Sequence, residues 1–259
     1  MKKKLIAFDL DGTLLDSKKR ITNKTKLALK RLREAGHLVT IATGRSLPLS
    51  IEVIKEGDFD HYVLCNGALA YVKHQVVYQN PLDRQAFKRL LQATQEKGID
   101  LAYQNMDAIY RHSDFDRKKM ERAMFSFGAC VPPKKSFSEN KKTIYQALAF
   151  YGENQEGIFS SEFPEFRFVR WHEEAVDVLP HDGSKAQALL HMANNQGIHQ
   201  EDIIAFGDGE NDREMLQLAG TGIVMGNATD DLKKIGDYVT ESHDEEGIFQ
   251  ALEALHILE

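Results

Sequence analysis

Residues 5–8 read Leu-Ile-Ala-Phe, and an aspartate follows at once. A short apolar run of this kind reads as a buried strand. The run Asp9-Leu10-Asp11-Gly12-Thr13-Leu14 then begins at that strand's C-terminal end. Side chains alternate along extended backbone, which sends Asp9 and Asp11 to the same side. Open α/β sheets bind their ligands at such strand ends. The arrangement recurs far along the chain, where Ile203-Ile204-Ala205-Phe206 runs into Gly207-Asp208-Gly209-Glu210-Asn211-Asp212. Two strand ends thus carry acid-rich tips.

The segments between them set the fold class. Leu27, Ala28, Leu32 and Ala35 repeat at helical spacing, Thr22 or Asn23 can cap, and Gly36 stops a helix expected over 23–35. A strand at 37–42 ends at Thr43-Gly44-Arg45, a helix at 47–56 follows, and a strand at 61–64 ends at Asn66-Gly67. Strand–helix alternation predicts a doubly wound, Rossmann-like α/β core with a mainly parallel sheet. After about residue 81 the rhythm changes. Helices are expected at 83–97, 115–127 and 154–161, with strands near 100–111, at 143–151, and near 166–171 and 175–179. The first rhythm returns at Gly183. Ser184 caps a helix with Ala186, Ala188, Leu189, Leu190 and Met192 on its apolar faces. Strands at 203–206, 222–224 and 237–239 alternate with helices at 211–219, 229–235 and 246–256. The expected organisation is a discontinuous core, 1–80 plus 183–259, with an inserted α+β cap domain at 81–182.

Charge and composition narrow the function classes. The chain has 33 basic and 39 acidic residues, a formal net charge of -6. That balance argues against a nucleic-acid partner, which calls for a basic footprint. No apolar stretch approaches the length of a membrane span. The run after Met1-Lys2-Lys3-Lys4 stops at Asp9, too short for a secretory core. Cys65 and Cys130 are distant and form no metal-type pair, so a reduced, cytoplasmic protein is expected.

The polar motifs have the parts that phosphoryl transfer needs. Asp9 can act as nucleophile through an aspartyl phosphate. Asp11 can protonate the leaving oxygen and then activate water, and the charge of Asp9 is expected to raise its pKa. Asp9, Asp208 and the backbone carbonyl of Asp11 can supply oxygens to Mg²⁺, with Asn211 and Asp212 beside or behind; Mn²⁺ could substitute. Thr43 and Gly44 offer a hydroxyl and an N–H to phosphate, and Lys185 offers a point charge at a helix start. A calcium loop fits poorly: counted from Asp9, the twelfth residue is Arg20, where an EF-hand has Glu. Gly220, Gly222 and Gly226 are not spaced as a dinucleotide fingerprint.

These motifs, in this order, resemble the haloacid dehalogenase superfamily. Asp9-Leu10-Asp11-Gly12-Thr13 looks like its first motif; Thr43, Lys185 and Gly207-Asp208-x-x-Asn211-Asp212 match the second, third and fourth. With Thr43-Gly44-Arg45, Asn66-Gly67-Ala68, Gly183-Ser184-Lys185 and Met225-Gly226-Asn227-Ala228, the chain looks like the Cof-type hydrolases, whose α/β cap is of type IIB. The resemblance implies a Mg²⁺-dependent phosphatase acting on small phosphomonoesters such as sugar phosphates. Asp9 would be the nucleophile and Asp11 the acid/base. Asp9, Asp11 through its carbonyl, and Asp208 would hold Mg²⁺, with Asp212 as a ligand or behind one. The Leu10 N–H, Thr43, Gly44, Lys185 and Asn211 would hold phosphate. Cap residues Arg170, Trp171 and His172 are candidate substrate contacts. A phosphomutase of the same superfamily and a phosphometabolite-binding regulator are the alternatives.

Overall fold

The computed structural model describes residues 2–137 and 141–258. In chain order the elements are β1 (Leu5–Phe8), α1 (Asn23–Glu34), β2 (Leu38–Ala42), α2 (Leu47–Glu56), β3 (His61–Leu64), β4 (Leu69–Val72), β5 (Gln75–Gln79), α3 (Arg84–Glu96), β6 (Asp100–Gln104) and β7 (Ile109–Arg111). They continue with α4 (Arg117–Ser126), β8 (Gln146–Phe150), β9 (Phe166–His172), β10 (Ala175–Pro180), α5 (Lys185–Asn195), β11 (Ile203–Gly207), α6 (Arg213–Leu218), β12 (Thr221–Val224), α7 (Asp230–Lys233), β13 (Tyr238–Val239) and α8 (Gly247–Ala254). The chain divides into two compact units. One contains Met1–Gly44, Ser50–Gln79 and Ser184–Glu259; the other contains Arg45–Leu49 and Asn80–Gly183.

The first unit is built on one eight-stranded sheet, in the order β13-β12-β11-β1-β2-β3-β4-β5. From β13 to β3 every pairing is parallel, the arrangement that helical crossover connections allow. β1 and β11 lie side by side in register, Phe8 opposite Phe206, so the two acid-rich tips emerge next to each other. β1, β2 and β11 are buried along their whole length, the expected state of a parallel sheet covered on both faces. Helices close over it: Thr22 caps α1 by accepting the Thr25 N–H, and Ser184 caps α5 by accepting the Gln187 N–H. The buried face of α1 is Thr25, Ala28, Leu29 and Leu32. Leu27, assigned to that face from spacing, is exposed.

Two expectations about elements change. β4 and β5 form an antiparallel hairpin on β3, so the edge of the sheet beyond β3 is antiparallel. Residues 154–161 form no α-helix: a short 3₁₀ turn at Glu153–Gln155 gives way to further turns. Here Phe159 and Phe163 are buried against the second unit's core by the folding of the loop alone.

The second unit has its own five-stranded antiparallel sheet, β7-β6-β8-β10-β9. Separate apolar clusters lie on it, one around Phe87, Leu90, Tyr103 and Phe159 and the other around Met120, Met124 and Phe150. Leu49 packs against the second cluster, which is why residues 45–49 group with this unit.

Candidate active site

Beyond Phe8 the backbone leaves the extended state. Leu10 enters a turn in which the Leu14 N–H donates to the Asp9 carbonyl (3.1 Å) and the Leu15 N–H to that of Leu10 (2.9 Å). Strand alternation therefore does not govern Asp9 and Asp11. The two carboxylates take different partners: Asp9 Oδ1 accepts from Lys185 Nζ at 2.6 Å, and Asp11 Oδ1 accepts from Lys19 Nζ at 2.7 Å. Gly12 makes the turn possible. Its φ is +86°, and a Cβ there would meet Asp208 Oδ2 at 2.2 Å. Only a residue without a side chain lets the Asp208 carboxylate approach this closely.

Lys185 is fully buried, and its ammonium lies between Asp9 Oδ1 and Asp212 Oδ1, the latter at 2.7 Å. The Asp212 carboxylate is further held by the backbone N–H groups of Asp208 and Gly209, each at 3.0 Å. Asp212 thus serves the loop and the lysine at once. Asp208 accepts from Thr13 Oγ1 (2.8 Å) and Asn227 Nδ2 (3.1 Å); the same Asn227 amide donates to the Gly12 carbonyl at 2.9 Å.

Carboxylate oxygens of Asp9, Asp208 and Asp212 lie within 4.8 Å of one another. Three carboxylates against one ammonium leave two negative charges in a largely buried place. The electrostatics respond accordingly. Burial, then the Asp212 charge, pushes Asp9 well above the usual carboxylate range, with Lys185 opposing. The same two causes push Asp208 up to about 7. Burial works against the Lys185 charge, but Asp212 and Asp9 outweigh it and hold the ammonium protonated. Hard oxygen donors with a two-charge surplus fit a divalent cation of the Mg²⁺ kind.

Beside this cluster the loops after β2 and β3 meet. The Asn66 N–H donates to the Thr43 carbonyl at 3.0 Å, and Asn211 Nδ2 donates to Asn66 Oδ1 at 2.9 Å. The first unit therefore brings Asp9, Leu10, Asp11, Thr43, Gly44, Lys185, Asp208, Asn211 and Asp212 to one end of its sheet.

Arg170, Trp171 and His172 lie on β9 of the second unit. The Arg170 guanidinium donates to Glu156 and to the carbonyls of Tyr151, His172 and Glu173. Its donors are thus spent on fastening loops of its own unit. Trp171 packs edge-on against Phe127 at 5.3 Å. His172 Nδ1 accepts the Glu174 N–H. Sequence reasoning missed Lys19, Thr13 and Asn227 as partners of the acidic residues. Lys19 sits in the run Lys18-Lys19-Arg20, which carries no signal beyond surface charge. Asn227 stands in Met225-Gly226-Asn227-Ala228, a run whose residue types alone point to no partner.

A sheet of this order with this cluster at its parallel end defines a haloacid dehalogenase-like hydrolase, and the chain belongs to that family: the family model matches residues 6–252. It is a phosphatase of the Cof type. "Putative phosphatase YkrA" of Bacillus subtilis is 36% identical over the full length of both chains. A crystal structure of a hypothetical protein from Geobacillus kaustophilus is 38% identical, with a TM-score of 0.90 over 98% of this chain and 99% of that one. The subclass IIB sugar phosphatase BT4131 is 29% identical, with a TM-score of 0.88 over 98% of this chain and all of the other. Phosphatases of this superfamily generally use a divalent metal. Among the described residues, no helix is long and apolar enough to cross a membrane.

Proposed function

We propose that the protein hydrolyses small phosphomonoesters with Mg²⁺, by way of a phosphoryl group carried on Asp9. The observation that carries this reading is the Asp9 carboxylate, buried at the end of β1 and bonded at 2.6 Å to an ammonium that is itself buried. A carboxyl group so held is oriented for attack and shielded from water, and a cation beside it would favour its ionised, nucleophilic form. Asp9, Asp208 and the Asp11 carbonyl would hold the metal, with Asp212 behind them. The cation would supply charge neutralisation of the phosphoryl oxygens.

The protein's own groups account for the remaining steps. An Asp9 oxygen bonds to phosphorus while the ester P–O bond breaks, and Asp11 gives its proton to the leaving oxygen. Asp11 then takes a proton from water, whose oxygen bonds to phosphorus as the Asp9–phosphorus bond breaks. Inorganic phosphate leaves and both aspartates are regenerated. Lys185, the Leu10 and Gly44 N–H groups, Thr43 and Asn211 hold the phosphoryl oxygens.

The substrate class we favour is the sugar phosphates and related metabolites. Support comes from BT4131, described as a sugar phosphatase, and from YwtE of Bacillus subtilis, 27% identical and named for a phosphoribitylamino-uracil. We assign substrate choice to the second unit, with Trp171 and His172 favoured as contacts over Arg170, whose donors are taken up internally. Cys65 and Cys130 are not joined in a disulfide, which suits work in the reducing cytoplasm. The test is phosphate release from an aryl phosphate and a sugar-phosphate panel, with Mg²⁺ and with chelator, for wild type and Asp9→Asn. Metal-dependent release lost in Asp9→Asn supports the reading. Absence of release from every ester by metal-loaded wild type would sink it.

A further inference from the structure

The turn after β3 has an unusual backbone. Cys65, Asn66 and Gly67 follow one another at φ +52°, +50° and +94°. The left-handed region is uncommon for a residue with a side chain, and two such residues in succession store strain that the surroundings must hold. All three are buried, Asn66 to 2% exposure.

What this turn touches is the proposed phosphate site. The Asn66 N–H ties down the Thr43 carbonyl. Gly44 lies against the Asn66 amide so closely that a Cβ on Gly44 would meet its atoms at 3.0–3.1 Å. Gly67 lies against the start of α5, where a Cβ would meet the Ser184 carbonyl oxygen at 2.0 Å and the Lys185 nitrogen at 2.8 Å. Asn66 Oδ1 accepts one N–H of Asn211 at 2.9 Å. Three separate segments that supply the phosphate-binding groups, the loop after β2, the start of α5 and the Asn211 turn, therefore abut three consecutive residues.

The Asn211 contact has a specific chemical consequence. A carboxamide can rotate by half a turn and exchange its oxygen for its NH₂. With Asn66 presenting Oδ1 to it, as it does here, Asn211 makes the hydrogen bond only in its NH₂ orientation; turned alone, it sets oxygen against oxygen. One N–H is thus spent on Asn66, and the other stays on the NH₂ side for an anion. Without Asn66 the amide is free to turn its oxygen toward an incoming phosphate, which repels it.

We propose that Asn66 is a positioning residue for phosphate binding, locking the Asn211 carboxamide as a donor from a strained left-handed turn. This rests on the phosphatase reading above. Asn66→Gly is the sharpest variant, because glycine takes φ +50° without strain and the side chain alone is lost. The readout is inhibition of aryl-phosphate hydrolysis by inorganic phosphate, alongside calorimetric titration of phosphate and of Mg²⁺. The inhibition constant for phosphate is expected to rise about tenfold, the scale of one hydrogen bond to a charged group. Mg²⁺ affinity is expected to stay within about twofold, well under one such bond. In an Asn211→Ala background the Asn66→Gly change is expected to add nothing, since residues acting through one contact are not additive. Asn66→Ala removes the same acceptor and guards against a folding failure peculiar to glycine; it too should weaken phosphate, because the oxygen facing Asn211 is gone. Wild-type phosphate affinity in either variant, or full additivity with Asn211→Ala, would overturn the proposal. If wild type itself binds no phosphate, the site reading falls along with this inference; if wild type binds and Asn66→Gly binds equally, this inference alone falls.

Discussion

The Lys185 ammonium is buried between Asp9 and Asp212, so its removal leaves two carboxylates facing each other without a counter-charge. Breaking a buried pair by deleting one partner costs about 3–5 kcal/mol. Lys185→Met should lower stability by that order in urea unfolding, and phosphate release should fall by at least ~100-fold, the scale of losing one preorganised charge-stabilising group. A variant as stable and active as wild type would remove Lys185 from the account. Asp208 yields a pH prediction. Its folded pKa is raised to about 7 from an ordinary 3.8, so its contribution to folding is complete below the ordinary value and is lost as pH rises through about 7. The metal-free protein should lose stability over that window. Mg²⁺ binds the ionised form and competes with the proton, so its stabilising effect should grow across the same range. Thermal melts with and without Mg²⁺ at about pH 6 and about pH 8, either side of the titration, check the sign: the gain in Tm should be larger at the higher pH.

At the scale of elements, the loops between strand and helix do most of the positioning. Gly12→Ala tests this directly, since its Cβ would collide with the Asp208 carboxylate and the residue sits at φ +86°. The strain alone costs on the order of 1 kcal/mol. The larger effect should be on Mg²⁺ affinity by calorimetry, because Asp208 has to move. The apolar strands were legible because parallel strands covered on both faces read as continuous apolar runs, and β1 and β11 are such runs. The acidic tips were legible because each follows such a run directly. The hairpin β4–β5 was not, since β5 is half-exposed and its turn at Lys73-His74 uses two residues at positive φ that carry no glycine signal. Nor were the contacts of Lys19, Asn66 and Asn227. They join positions 8, 145 and 19 residues apart across loops, where neither periodicity nor spacing reports a partner.

For the whole molecule, apart from the short segment Arg45–Leu49 the chain enters the second unit at Asn80 and leaves it after Gly183. That unit has a complete sheet and two apolar clusters of its own. A fragment of residues 80–183 should therefore unfold cooperatively in urea, although it lacks the Leu49 side chain that packs on one cluster. A non-cooperative melt would mean that the unit depends on the rest of the chain. Division of labour predicts a further outcome. His172→Ala should change relative kcat/KM across a sugar-phosphate panel by about tenfold, the scale of one lost polar contact, while leaving a small aryl phosphate nearly unaffected. Equal loss on every substrate would contradict it.

The central claim is that Asp9 carries the phosphoryl group. The direct measurement is an acid quench of enzyme turning over a substrate labelled in its phosphoryl group, followed by hydroxylamine treatment and peptide mapping. The account predicts protein-bound label on the peptide containing Asp9, stable to acid, released by hydroxylamine as an acyl phosphate is, and absent from Asp9→Asn. Label that persists in Asp9→Asn, or rapid phosphate release by an Asp9→Asn enzyme, would contradict it.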